Sequence, residues 1–155
     1  MTKDERMTLL SLTKSIRKVL KPKRYLHTLG VVKVGRIINT PPIVDDYRLR
    51  LACLFHDYGK HTPLDKMIAI CKEHGLLPED KNAWNKGILH NRVSAILMKQ
   101  DFGIEDEEVQ KAIMSHTTGR VGMSDLEKIV FIADYADPFR KLEASSLVLE
   151  ISRKD

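Results

Sequence analysis

Apolar residues in this chain recur every three or four positions almost from end to end, and no stretch alternates with the period of two that a half-buried strand needs. That feature limits the chain to helices packed on helices. "TLLSLTKSIRKVL" sets Leu9, Leu12, Ile16 and Leu20 on one face, and Pro22 ends that helix. "KRYLHTLGVVKVGRIIN" offers a broad face of Leu26, Leu29, Val32, Ile37 and Ile38. After the loop "TPPIVDD", Asp45 or Asp46 is placed to cap a helix "DYRLRLACLFHDYGK" that runs to Gly59. "PLDKMIAICKEHG" reads as a helix between Pro63 and Gly75, "LLPEDKNAWNKGILH" as irregular chain, and "HNRVSAILMKQDFG" as a helix from near His90 to Gly103. "EDEEVQKAIMSH" opens on acidic residues and ends at His116. Ser124, with Glu127 three positions on, has capping-box spacing for "SDLEKIVFIADYADPFR" and its apolar Leu126, Ile129, Val130, Ile132 and Ala133. The tail "KLEASSLVLEISRKD" reads as the start of one more short helix. The expected fold class is all-α, a helical bundle, with residues 1–155 as a single domain.

Composition narrows the setting more than the chemistry. With 43% hydrophobic and 30% charged residues, the chain reads as an ordinary soluble protein. No segment has the uninterrupted apolar length of a membrane span, and the start lacks the apolar block of a secretory signal. Cys53 and Cys71 show no CxxC spacing, so two reduced thiols and a cytoplasmic location are expected. The net charge of +5 suits a polyanionic partner. Lys and Arg are spread along the chain, with neither an Arg-rich tail nor an aromatic RNA-binding strand pair. The expectation is a nucleotide partner, with neither nucleic acid nor membrane.

"LACLFHDYGKHTP", residues 51–63, brings His56 and Asp57 side by side to the end of an apolar run. Charged groups are rarely buried unless paired or bound to metal. His27, His90 and His116 also fall at helix ends or on apolar faces, and Asp134 follows the apolar Val130, Phe131, Ile132 and Ala133. Singly, each has a bland reading as a hydrogen-bonded core residue. Together they supply four imidazoles and two carboxylates from at least five segments, the kind of set a helical bundle turns inward to hold metal. Nitrogen and oxygen donors without thiolate suit Fe, Mn, Co, Ni or Zn.

The order H…HD…H…H…D, read with "LHTLGV", "LACLFHDYGKHTP", "ILHNRVSA" and "AIMSHTTGRVGMSDLEKIVFIADYADPFR", resembles the HD-domain metal-dependent phosphohydrolase superfamily. Within it the chain resembles the bacterial symmetrical bis(5'-nucleosyl)-tetraphosphatases, and the block from "HTTGR" to "ADYADPFR" is the most discriminating part. The resemblance covers about residues 20–141 and implies an HD-domain bundle. It implies that His27, His56, Asp57 and Asp134 hold one divalent metal ion and His90 and His116 a second, with Asp57 bridging. Iron is the implied metal, with Mn, Co, Ni, Zn or Mg as alternatives. The implied reaction is hydrolysis of diadenosine tetraphosphate to two ADP.

By the same resemblance, Asp57, Lys60 and Arg120 are catalytic candidates. Lys60 would stabilise phosphoryl charge, and Arg120 would grip phosphate beside Thr117 and Thr118. Arg24 and Arg140 would reach the polyphosphate, and for all four cations the alternative is a solvated surface charge. His61 and His74 lie outside the ordered set: the first reads as a loop residue near the mouth, the second as a helix C-terminal residue on the dipole. Trp84 or Tyr58 could stack on adenine, or be structural. Two features depart from the family. Asn91 and Arg92 stand where it carries a small residue and a proline, so Arg92 would add a phosphate contact or narrow the nucleoside pocket. The family also continues with further helices beyond "ADYADPFR", which would cover the site or build a dimer face, and a homodimer is the expected assembly. The alternatives are an HD enzyme acting on another nucleotide and a nucleotide sensor without turnover.

Overall fold

The computed structural model describes residues 1–137, and its elements follow the sequence signals with three instructive differences. Seven helices run in the order α1 (Lys3–Val19), α2 (Pro22–Ile38), α3 (Asp46–Phe55), α4 (Leu64–Glu73), α5 (Lys86–Phe102), α6 (Glu107–Ser115) and α7 (Asp125–Tyr135), with a short 3-10 turn at Lys81–Ala83. No strand occurs among the described residues, so the all-α expectation holds. The expected tail helix and Arg140 lie outside the described residues.

Side-chain caps open most of these helices. Thr2 and Ser124 form capping boxes with Glu5 and Glu127, and Asp45 (not Asp46) accepts the Arg48 amide. Each such cap is worth roughly 1 kcal/mol. Helix α1 buries the expected Leu9, Leu12 and Ile16, and Leu20 beyond it.

Helix α2 buries a different face from the one its larger residues suggest. His27, Gly30, Val31, Val34 and Ile38 turn inward, while Leu26 and Leu29 are exposed and Val32 and Ile37 only half-buried. The reason is close packing: a Cβ on Gly35 would come within 3.1 Å of Cys53 Sγ, so α2 lies against α3 along its small residues. Helix α3 is the centre of the bundle. Leu49 and every residue from Leu51 to Phe55 are buried, against α2 on one side and α6 and α7 on another. A smaller apolar cluster of Met67, Cys71, Leu89 and Val93 joins α4 to α5. Both cysteines are free and buried.

The other two differences set up the site. Helix α3 ends at Phe55 and not at Gly59, and α5 begins at Lys86, a full turn before His90, under an Asn85 cap. His90 is therefore anchored inside a helix rather than at its frayed start.

Candidate metal centre

The chain leaves α3 through a tight turn. Tyr58 N bonds Phe55 O and Lys60 N bonds Asp57 O, both at 3.0 Å and both three residues apart, which closes the backbone more sharply than an α-helix does. Gly59 then presses against α5, where its N–H donates to Ser94 Oγ at 2.9 Å. A Cβ on Gly59 would sit 2.9 Å from both Ser94 N and Val93 Cγ1, so only glycine permits this approach. His56 and Asp57 are thus fixed between α3 and α5.

Four imidazoles converge beside this turn, each held from behind. Nδ1 of His56 donates to Cys53 O at 2.7 Å, that of His90 to Lys86 O at 2.8 Å, and that of His116 to Ile113 O at 2.6 Å. His27 Nδ1 donates to Asp137 Oδ2 at 2.6 Å. With every Nδ1 engaged as a donor, each Nε2 presents its lone pair to the interior.

Those nitrogens form two pairs, His27 with His56 and His90 with His116, each 3.2 Å apart. Asp57 lies between the pairs. Its Oδ2 is 3.6 Å from His27 Nε2 and 3.4 Å from His56 Nε2, and its Oδ1 is 3.1 Å from His90 Nε2 and 3.8 Å from His116 Nε2. Asp134 Oδ1 closes the first pair at 3.0 Å from His27 and 3.6 Å from His56. In each of two groups, His27–His56–Asp57 and Asp57–His90–His116, the donor atoms lie within 4.8 Å of one another, and all these residues are buried.

The donor set fits divalent metal. Lone pairs that face each other across 3.2 Å repel unless a proton or cation lies between them. Asp57 Oδ1 is buried with no hydrogen-bond partner and with the Lys60 ammonium 3.6 Å away, an arrangement that a closer cation would improve. The electrostatics agree. Burial alone would discharge His56, yet Asp57 and Asp134 outweigh it and push the imidazole up to about 10. Burial opposes the charge on both carboxylates too, but His56 and the other imidazoles hold Asp57 and Asp134 below the ordinary carboxylate range. His116 moves down, through burial first and the charge on His56 second. The carboxylates thus keep positive charge among the rings, which a divalent ion supplies with release of a proton.

Of the other residues singled out by sequence, three lie on this cluster. Arg24 Nη1 is 2.6 Å from Asp57 Oδ2, Lys60 Nζ is 3.0 Å from His90 Nε2 and 3.6 Å from Asp57 Oδ1, and Thr117 Oγ1 is 3.2 Å from His116 Nε2. Thr118 is exposed, its hydroxyl on Gly119 O. Arg120 sets Nε and Nη2 on the two oxygens of buried Glu127, at 2.7 and 2.6 Å, and Nη1 on Val121 O. Asn91 is fully buried and donates to Met114 O, which ties α5 to α6, while Arg92 Nη1 turns to Asn91 Oδ1 at 3.3 Å.

Three aromatic or imidazole residues have structural partners. Tyr58 donates to Asp101, Trp84 to Pro78 O, and His74 to Ile70 O at the end of α4. Asp137, behind His27, is the residue that sequence reasoning passed over. Its only signal is its place one turn after Asp134.

Comparison with known proteins follows the same residues. The family model for the HD domain matches residues 24–138. A symmetrical bis(5'-nucleosyl)-tetraphosphatase of Halalkalibacterium halodurans is 36% identical over 132 residues, which is 85% of this chain and 70% of that protein. The Staphylococcus aureus protein of the same name is 39% identical over 123 residues, 79% of this chain and 63% of its own length. The crystal structure of a predicted HD superfamily hydrolase involved in NAD metabolism from Clostridium acetobutylicum superposes with a TM-score of 0.86 at 37% identity, covering 94% of this chain and 77% of that one. The matched span begins at Arg24 on the cluster and ends one residue past Asp137, so the likeness and the convergence of donors concern the same helices, and the chain belongs to the HD-domain family.

Proposed function

We propose that this protein is a metal-dependent phosphohydrolase that cleaves diadenosine tetraphosphate symmetrically into two ADP. The observation that carries the reading is Asp57, whose two oxygens each face a separate imidazole pair inside a family whose relatives bear that activity in their names. His27, His56, Asp57 and Asp134 would hold one ion and His90, His116 and Asp57 a second, with iron as the expected metal. Two such ions, when bound, lower the pKa of a water and neutralise the attacked phosphoryl group.

The chain's own residues supply the remainder. The Nδ1 tethers orient the rings before anything binds. Arg24 and Lys60, already on the cluster, are placed to take the phosphate oxygens nearest the attacked phosphorus, Lys60 as a point charge. Thr117 adds a hydroxyl donor, and Arg120 keeps two of its five N–H groups for phosphate after Glu127 and Val121 O have taken three. Thr118 and Arg140 complete the candidate phosphate contacts. A single domain, a homodimer and a cytoplasmic location belong to the same reading. The two free, buried thiols fit the last, and exposed Leu10, Leu26 and Leu29 supply apolar surface for a second copy.

Product analysis tests it. The iron-loaded protein is incubated with diadenosine tetraphosphate beside Asp57→Ala, and the expected result is ADP as sole product, lost in the variant. AMP with ATP would overturn symmetrical cleavage. Bound nucleotide without turnover would move the reading to a sensor.

A further inference from the structure

Lys and Arg recur along the whole chain, but Asp and Glu do not: residues 6–44 hold nine Lys or Arg and no carboxylate. The densest part of that stretch, residues 14–24, ends on the metal centre at Arg24. Three of the segments that bring donors to the centre carry a cation one turn away from the donor. Arg24 precedes His27 by three positions on α2, Lys60 follows Asp57 by three, and Lys86 precedes His90 by four on α5. That spacing sets side chains on one helix face. Helices α2 and α5 are also the two described α-helices without an acidic first turn, and carry lysines there instead, against the usual preference of the helix dipole.

Arg24 and Lys60 reach inward to Asp57, whereas Lys21, His61 and Lys86 are exposed. Each of these three exposed residues is tied to the centre through its own stretch of backbone: Lys86 O accepts the Nδ1 proton of His90, Lys21 lies one turn before Arg24, and His61 follows Lys60 directly. Besides its partial burial, the fields of Lys21, Arg24 and Lys86 press the His61 imidazole below its ordinary value, against Asp57. Among the described residues, neither Lys21 nor Lys86 has an ion-pair partner.

We propose that Lys21, His61 and Lys86 form an outer phosphate subsite for the far half of a polyphosphate chain whose near half lies on the metal centre. The proposal rests on the phosphohydrolase reading above. Cleaving a tetraphosphate at its middle leaves two phosphates on each side of the broken bond. The near pair is attacked over the centre, beside Arg24 and Lys60. A water oxygen forms the new bond to the near phosphorus and gives up its proton to solvent. As the central P–O bond breaks, its electron pair stays on the bridging oxygen of the departing diphosphate, and cations outside the centre stabilise that growing charge. A substrate with fewer phosphates engages fewer of these cations, so the subsite favours long chains over short ones.

The test compares the unaltered chain with Lys21→Ala/Lys86→Ala and with Lys21→Arg/Lys86→Arg, none of which alters a residue of the centre. With metal-loaded protein, the alanine pair is expected to raise KM for diadenosine tetraphosphate roughly fivefold with kcat within twofold, since exposed charge contacts are individually weak. The arginine pair restores KM. With metal-free protein at fixed ionic strength, which removes chelation, inorganic tripolyphosphate is expected to lose roughly fivefold in affinity in the alanine pair while orthophosphate is unchanged. Equal losses for both anions, or none, would overturn the outer subsite. Should the unaltered protein leave diadenosine tetraphosphate intact while the tripolyphosphate difference holds, the substrate reading falls and the outer subsite stands.

Discussion

Asp137 holds His27 from behind: its Oδ2 accepts the Nδ1 proton at 2.6 Å, and the carboxylate is wholly shielded from solvent. His56, His90 and His116 are tethered instead to main-chain carbonyls three or four residues earlier, so their orientation comes with their own local backbone. His27 depends on a residue 110 positions away.

If His27 ligates metal as proposed, that dependence makes Asp137 a positioning residue for it. Asp137→Ala is expected to weaken divalent metal affinity about 10- to 100-fold in chelator competition, the usual effect of removing such a partner. Asp137→Asn keeps an acceptor oxygen and is expected to fall between the two. A loss of thermal stability in both variants with metal affinity intact would make the contact structural only.

Gly59 offers a second test, of the turn that carries the His–Asp pair. A methyl group there meets Ser94 N and Val93 Cγ1 at 2.9 Å, and the first of these is main chain. Gly59→Ala is therefore expected to cost about 1–3 kcal/mol in denaturant melts. It is also expected to lower metal affinity, because a shift of the turn that relieves the clash carries Asp57 with it. Ala52→Gly in α3, which creates no clash, controls for general destabilisation.

Glu127 gives the pH prediction. Burial would raise its carboxyl, but the hydrogen bonds from Arg120, Ser124 N and Ser115 outweigh that and lower it from 4.5. A depressed folded-state value means that the contribution to stability is complete above the unfolded value and fades as pH falls through the folded one. Glu127→Gln is thus expected to melt below the unaltered protein near neutral pH, and the gap is expected to close as pH drops below about 4.5. A gap constant from pH 7 to pH 3 would mean that the shape of the side chain, and not its charge, holds the loop after His116.

These contacts also mark the limit of what the chain's text reveals. The clustering of His27, His56, Asp57, His90, His116 and Asp134 was legible because these groups fall on or beside apolar faces, and burial of such groups demands a reason. The α1 face was legible for the opposite reason, since nothing competes with its leucines. On α2 the larger residues pointed to the wrong face, because close approach at Gly35 overrides side-chain bulk. Glu127 was legible as a cap for α7, but its clamp on Arg120 depends on how the 117–123 loop folds back, which no local period encodes. Asp137, just past the end of α7 and before a proline, carries no local signal of its role. Its partner lies on another helix.

Metal removal tests the centre as a whole. Asp57 lies against His56 and Arg24, while its Oδ1 has no hydrogen-bond partner, so bound metal is expected to add to the stability of the fold. A ligand that binds only the folded state at a hundred times its Kd adds about 2.7 kcal/mol. Divalent metal is therefore expected to raise Tm by several degrees, and a chelator to reverse the rise. In Asp57→Ala the rise is expected to shrink sharply, because both imidazole pairs lose their shared carboxylate. His74→Ala, remote from the cluster on the end of α4, is expected to retain it in full. If the increment survives in Asp57→Ala and disappears in His74→Ala, metal binds elsewhere on the molecule, and the phosphohydrolase reading loses its centre.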